Sequence, residues 1–288
     1  MPSELLALAA PHVGEPPEVA DLSQSHGESS VWRVSGPLGT VALKAHRQGR
    51  KFHQELSAYR DWLPRLAGPP GVRVPRLLAH GERHPRALVV SWEAGEVIEN
   101  ASIGRRAALA LHRSAGAFLR ALHDLPYADE DPVTPRAAYA ARLEAWSERA
   151  RGVVPSSVTA NVAYALGEAL PSLEGASRVR CHRDFTPGNW LAAEDGALVV
   201  IDFEHARPDL WLADLVRLWT GPWRSQPALR EAFLAGYGRD LRDDEEETLR
   251  RLAALFALST VVWAREHGDG AFEAHGREVL RWLGLATG

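Results

Sequence analysis

The chain of 288 residues predicts an α+β fold in two parts: a smaller β-rich part over residues 1–92 and a larger, mainly helical part over residues 93–288. Three observations carry that reading. Short β-prone runs fill the first part, long Ala/Leu/Arg-rich stretches with helical spacing fill the second, and one hairpin interrupts the helices between residues 178 and 206.

In chain order, Val31-Trp32-Arg33-Val34 and Val41-Ala42-Leu43-Lys44 are two strands joined by the turn residues Gly36-Pro37-Leu38-Gly39, which leaves Lys44 near a strand end. Phe52, Leu56, Tyr59, Leu63 and Leu66 recur every three or four positions, so an amphipathic helix spans 52–66 with Glu55 early on it. Strands follow at 76–80 and 87–92, the second a nearly continuous apolar run. Beyond residue 92, helical patterns cover 105–123, 135–150, 157–170, 243–265 and 271–283. Trp190-Leu191-Ala192 and Leu198-Val199-Val200-Ile201 flank the turn Glu194-Asp195-Gly196 as the hairpin.

Composition excludes several classes of function. With 45% hydrophobic and 24% charged residues the chain is a folding one rather than a disordered one. A net charge of -4 argues against nucleic-acid binding, which needs a basic excess or patch. The single cysteine, Cys181, permits no internal disulfide and reads as a small buried residue; no Cys/His cluster has zinc spacing. A reducing, cytoplasmic location is therefore expected. The first residues lack the positive region of a signal peptide, and no apolar run approaches the roughly 20 residues of a membrane span. A monomer or homodimer is expected. Of the 33 residues that are Lys or Arg, only Lys44 and Lys51 are lysine, an imbalance that codon usage accounts for on average.

The chemistry concentrates in His182-Arg183-Asp184-Phe185-Thr186-Pro187-Gly188-Asn189 and, after the hairpin, Ile201-Asp202-Phe203. Asp184 and Asn189 share a Pro/Gly-containing loop whose irregular backbone turns both side chains to one point. The hairpin returns Asp202 beside that loop. Two carboxylates and a carboxamide oxygen are hard ligands suited to Mg²⁺ with phosphate oxygens completing its shell. No Gly-x4-Gly-Lys-Ser/Thr sequence is present, so a P-loop is excluded.

This ordered set resembles the kinase catalytic loop, His-x-Asp-x4-Asn, followed by the Asp-Phe motif. In detail it is similar to the aminoglycoside phosphotransferase family, the small-molecule relatives of protein kinases that include choline and homoserine kinases. The features in common are the Asp-x-x-Pro-x-Asn form of 184–189, the short interval from Asn189 to Asp202, Arg207-Pro208-Asp209, Ala213-Asp214-Leu215-Val216 and, upstream, Leu119-Arg120-Ala121-Leu122-His123. The likeness implies a bilobal protein-kinase-like fold with a nucleotide-binding lobe over 1–92 and a catalytic, substrate-binding lobe over 93–288. It implies that Asp184 accepts a proton from the acceptor hydroxyl and that Asn189 and Asp202 hold Mg²⁺. Lys44 would meet the α/β phosphates of ATP or GTP, held by Glu55. Ser25, Gly27, Ser29 and Ser30 occupy the position of the phosphate-covering loop, although the stretch has one glycine. Ser91 and Glu93 lie in the interlobe segment that binds the purine. For Glu55 the residues alone leave open an ordinary surface pair with Lys51.

Two positions depart from the pattern. Arg183 stands where small-molecule members commonly carry glycine, and in the absence of an activation segment it is expected to pair with a nearby carboxylate. Glu204 stands where many kinases have glycine, either beside the metal site or as a turn cap. Asp214 and His182 are expected to brace the catalytic loop.

The activity implied is transfer of a γ-phosphate to a hydroxyl of a small molecule. The leading acceptor is an antibiotic (an aminoglycoside, a nucleoside or similar), which would give resistance. A metabolite such as choline, homoserine or an amino alcohol is the alternative. A protein kinase is disfavoured by the missing activation segment, and a non-catalytic nucleotide-binding module by the intact Lys44, Asp184, Asn189 and Asp202. For a polycationic acceptor the visible acidic runs are 129–131 and 243–247, the second also a solvated helix start; the ten tryptophans could wall a sugar, nucleoside or macrocycle, though most belong to the core.

Overall fold

The computed structural model describes residues 3–23, 29–83 and 85–286. Helix α1 (Ser3–Val13) precedes strands β1 (Glu18–Asp21), β2 (Ser29–Gly36) and β3 (Gly39–His46). Helix α2 (Gly49–Ser57) runs into a π turn at Ala58–Trp62 and a 3₁₀ turn at Leu63–Arg65. Strands β4 (Val72–Arg73), β5 (Leu77–Gly81), β6 (Arg86–Ser91) and β7 (Glu96–Val97) come next. The helical part contains α3 (Arg105–His123), α4 (Pro135–Arg149) and α5 (Ser156–Ala169). After them lie β8 (Val179–Cys181), β9 (Trp190–Ala192), β10 (Leu198–Val200) and β11 (Arg207–Asp209). Helices α6 (Val216–Thr220), α7 (Pro222–Ser225), α8 (Pro227–Tyr237), α9 (Asp243–His267) and α10 (Gly270–Trp282) complete it.

The first sheet is antiparallel, in the order β1-β2-β3-β6-β5. Its β2–β3 hairpin pairs Gly36 with Gly39, the expected turn. Alternation along β3 sets the two faces of the strand: Val41, Leu43 and Ala45 pack with Leu5, Ala9 and Val13 of α1, which sends Lys44 to the opposite face. Periodicity alone does not reveal helix α1. Its apolar run is short, yet a buried residue once per turn suffices to seat it on the sheet.

The amphipathic helix starts at Gly49 rather than Phe52, and the predicted span to Leu66 is broken into three helical types. Both differences arise where periodicity is blind: glycine reads as a breaker, and a π turn shifts the phase of the stripe.

A second sheet, β4-β10-β9-β7, carries the predicted 190–201 hairpin, and a two-stranded ribbon joins β8 to β11. The catalytic loop therefore hangs between β8 and β9, and Asp202 lies just past β10. Beneath them is the main core, in which Phe52, Phe118, Phe185, Phe203 and Phe233 are fully buried. Helices α3 and α8 touch at paired glycines: a Cβ on Gly116 would lie 2.0 Å from the Phe233 carbonyl oxygen, and one on Gly236 1.9 Å from that of Arg113. Among the described residues no helix is long and apolar enough to cross a membrane.

Candidate active site

A cleft of about 1570 Å³ runs between the first sheet and the helical part, and Lys44, Glu55, Asp184, Asn189 and Asp202 all line it. Strand β3 delivers Lys44, whose Nζ lies 2.7 Å from Asp202 Oδ1, 2.9 Å from Glu55 Oε2 and 2.9 Å from Glu204 Oε2. Burial works against that ammonium, but the charges of Asp202, Glu55 and Glu204 outweigh it and raise its pKa well above the ordinary lysine value. Glu55 is turned to Lys44 and to His46, whose Nε2 is 3.1 Å away, and not to Lys51. Burial raises the Glu55 pKa; Lys44 and His46 bring it net below the usual range. Its other oxygen accepts the Phe203 N–H at 3.2 Å, so α2 also holds the chain beside Asp202.

Lys51, to which the sequence assigns no role, is buried and donates to Glu204 Oε1 at 2.7 Å, with His205 Nε2 3.1 Å from the same ammonium. Glu204 also accepts from the Ser29 hydroxyl at 3.1 Å. Burial pushes the Glu204 carboxyl up, but the two lysines prevail and its pKa lies well below the usual range. Glu204 is thus neither an incidental cap nor isolated: it ties β2, β3 and α2 to the segment after β10.

The catalytic loop is held from behind. Asp214 accepts the backbone N–H groups of His182, at 2.9 Å, and of Arg183, and His123 Nε2 lies 3.0 Å from the same carboxylate. His182 Nε2 sits 3.0 Å from the Ile201 carbonyl oxygen, which bridges the loop to β10. Arg183 pairs with Asp209 at 2.8 Å, as its expected carboxylate partner. Arg183 (φ 71°) and Asp202 (φ 65°) both take left-handed backbone conformations without being glycine. Such strain, of order 1–3 kcal/mol each, persists only where the surroundings over-determine it, and here Asp209 holds the Arg183 side chain and Lys44 that of Asp202.

Asn189 donates from Nδ2 to the Asp184 carbonyl oxygen and to Asp184 Oδ2, both at 2.8 Å. No described residue donates to its Oδ1. Together with the Asp202 carboxylate, 37% exposed while its neighbours Glu55 and Glu204 are buried, that amide oxygen offers hard donors of the kind Mg²⁺ takes. The Ile201 N–H donates to the Asn189 carbonyl oxygen at 3.0 Å, which keeps the two residues side by side. The residues fit the ion.

Asp184 meets a residue that sequence reasoning missed: Arg217 of α6, whose guanidinium pairs with Asp184 Oδ1. Burial pushes the Asp184 carboxyl up, but Arg217, His205, His182 and the Asn189 hydrogen bond hold its pKa at about 2. Nothing in the local sequence marks Arg217, a lone basic residue in a mostly apolar stretch of a chain rich in arginine.

At the other end of the cleft, Leu88, Val90, Ser91, Trp92 and Glu93 form one wall. Ser91 is bound into the sheet edge: its N–H donates to the Arg76 carbonyl oxygen at 2.8 Å, and its hydroxyl accepts the Arg76 N–H and donates to Glu93. Ser29 lines the cleft, whereas Ser30 falls on the opposite face of β2 by alternation. Ser25 and Gly27 lie outside the described residues.

The profile of a family described as "phosphotransferase enzyme family" matches residues 22–255. No curated protein sequence matches the chain. Solved structures resemble it closely in shape. The GDP and kanamycin complex of APH(2")-IIia aligns with a TM-score of 0.76 over 98% of this chain and 99% of that one, at 16% identity. Aminoglycoside phosphotransferase APH(4)-Ia gives 0.71 over 99% of both chains, also at 16% identity. At such identity the likeness shows the fold, two-lobed and like that of the aminoglycoside kinases. Because the profile match spans most of the chain, the protein belongs to the phosphotransferase enzyme family and is a phosphotransferase with an alcohol group of a small molecule as acceptor.

Proposed function

We propose that the protein transfers the γ-phosphate of ATP or GTP to a hydroxyl of a small molecule, with an antibiotic as the leading acceptor. The observation that carries the reading is the convergence of Lys44, Asp184, Asn189 and Asp202 on one cleft with an apolar wall for a purine at one end. Complexes of structurally similar proteins with kanamycin, hygromycin B and gentamicin support the choice of acceptor, and their GDP, ADP and ATP complexes support the donor.

In this reading Asp184 orients the acceptor hydroxyl and takes up its proton as the oxygen attacks the γ-phosphorus in line with the departing diphosphate. Lys44 leaves part of its carboxylate cage to meet the α/β phosphates, while Glu55 keeps hold of it. Asn189 and Asp202 would hold Mg²⁺, which when bound supplies positive charge to the phosphate oxygens. Ser29 borders the phosphate region, and Ser91 and Glu93 border the purine. Residues 1–92 chiefly bind nucleotide and residues 93–288 chiefly bind acceptor, with β4 reaching from the first span into the second sheet.

The test is incubation with ATP or GTP, Mg²⁺ and a panel of hydroxylated antibiotics and metabolites, reading diphosphate release and product mass. A product heavier by one phosphoryl group, absent in Asp184→Ala, is expected. Mg²⁺-dependent nucleotide binding with Asp184-independent turnover would remove the proposed base.

A further inference from the structure

We infer that the acceptor, unlike the polycationic aminoglycosides bound by the structurally similar proteins, is an uncharged molecule with an extended apolar or aromatic face; the inference rests on the phosphotransfer reading above and departs from those ligands in charge. Asp184 locates the acceptor end of the cleft, because its partner Arg217 lies 5.4 Å from the centroid of Phe272. From there the cleft is walled by rings. Phe272 of α10 is the centre of the wall, its ring centroid 6.5 Å from that of Phe256 and 6.0 Å from that of Trp263, both on α9, and 6.3 Å from that of His275, and Trp146 of α4 adds a further wall.

A polycation would need several carboxylates on these walls, and among the described residues of α4, α9, α10 and their caps Asp269 is the one carboxylate that lines the cleft. Asp184 is held by Arg217. Asp269 caps α10 by accepting the Phe272 N–H at 2.9 Å. Glu204 is held by the two lysines. Glu99 lines the cleft from outside the ring-bearing helices, beside Gly188 on the loop that carries Asp184. The acidic runs visible in the sequence are elsewhere: Asp129 and Asp131 face Arg178, Glu245 is bound by Arg239, Glu246 by Arg230 and Glu247 by Arg251, and none of them lines the cleft.

A single quaternary ammonium in a ring cage fits no better. Arg217 already lies over Phe272 and Arg149 over Trp146, the latter at 3.9 Å, so two of the rings carry a guanidinium. Burial and Arg217 push the His275 pKa down, which leaves that ring neutral at pH 7. What remains is flat apolar area next to the catalytic carboxylate, with the Ser259 hydroxyl among the few polar groups on the wall. Such walls bind by removing apolar surface from water.

The experiment compares kcat/KM, with ATP and GTP, for polyaminated sugars, quaternary amino alcohols, and uncharged hydroxylated macrocycles and polycyclic aromatics. Uncharged acceptors are expected to exceed both cationic classes by roughly a hundredfold, equivalent to about 2.7 kcal/mol. Preference for either cationic class overturns the inference and leaves the phosphotransfer reading intact. Loss of Mg²⁺-dependent nucleotide binding in the wild type would instead sink that reading. As a measurement independent of turnover, the neutral dye N-phenyl-1-naphthylamine is titrated into the nucleotide-bound protein. Saturable binding, weakened roughly tenfold by Trp263→Ala and by Ser259→Asp with nucleotide affinity unchanged, is expected. Absence of dye binding together with absence of turnover on any uncharged compound overturns the inference.

Discussion

Lys44 and Lys51 bind opposite oxygens of one carboxylate: Glu204 Oε2 lies 2.9 Å from the first and Oε1 2.7 Å from the second. They are the only lysines in the chain, and both line the cleft in which the proposed function needs phosphate charge to be met. A compact ammonium can sit among several carboxylate oxygens at once, which the planar fork of arginine does not reproduce. The rarity of lysine thus has a local meaning at both positions rather than at Lys44 alone.

Lys51→Met keeps the length of the side chain and removes its charge from a pair whose side chains are only 6% and 8% exposed. Lys44 still holds Glu204 Oε2, so the cost is that of one lost charged hydrogen bond on a buried oxygen, about 1–3 kcal/mol. Denaturant titration reads it directly. An unchanged midpoint would mean that water or another group takes over the role of the ammonium.

Asp184→Ala should lower turnover by about 10² to 10⁴-fold, the usual contribution of a positioned acid or base. Nucleotide affinity should stay near that of the wild type, because the contacts of Asp184 are with Arg217 and Asn189 and not with Lys44. Turnover like that of the wild type would exclude proton transfer to this residue.

Arg217→Gln separates burial from charge at Asp184. In the folded protein that carboxyl titrates at about 2, below its ordinary 3.8, so the stabilisation it gives is complete above 3.8 and is lost as pH falls towards 2. Without Arg217, burial acts with less opposition and the pKa rises. The acid limb of kcat/KM should therefore move to higher pH in the variant. A limb that stays in place would show that the guanidinium is not what sets the charge of the base.

Asp214→Ala deprives the His182 and Arg183 N–H groups of their acceptor in a buried position. Each unsatisfied donor costs about 1–3 kcal/mol. The expected signature is lower stability together with a larger fall in kcat than in nucleotide affinity, since the loop that carries Asp184 loses its anchor. Equal loss of both would place the effect on the whole fold.

Legibility in the sequence tracks the length of the signal. Helix α3 begins and ends where periodicity places it, at Arg105 and His123, because its stripe runs unbroken against the core. The short strands β4, β7, β8 and β11 span only two or three residues each and escape a reading of the sequence, since such lengths are fixed by partners far along the chain. The same division holds in the cleft. Asp184, Asn189 and Asp202 lie within one compact motif, and the pairing of Lys44 with Glu55 joins neighbouring elements. Arg217 is 33 residues from Asp184, nearer than the 158 that part Lys44 from Asp202, yet it and Lys51 go unread because single basic residues carry no spacing that announces a partner.

The two helices of the ring wall are locked together at Gly276, where an added Cβ would come within 3.0 Å of the Ala257 carbonyl oxygen and 2.9 Å of a Val261 methyl carbon. Below that seam nothing can grow; above it, the rings of Phe256, Trp263 and Phe272 are half-buried, and the hydrogen bonds at these positions are made by the backbone and not by the rings. Selection can therefore exchange rings for other side chains and redirect the enzyme to new acceptors, leaving the helices in register and the phosphate-handling residues untouched. A mutational history of the chain should show turnover at those ring positions and silence at the glycine.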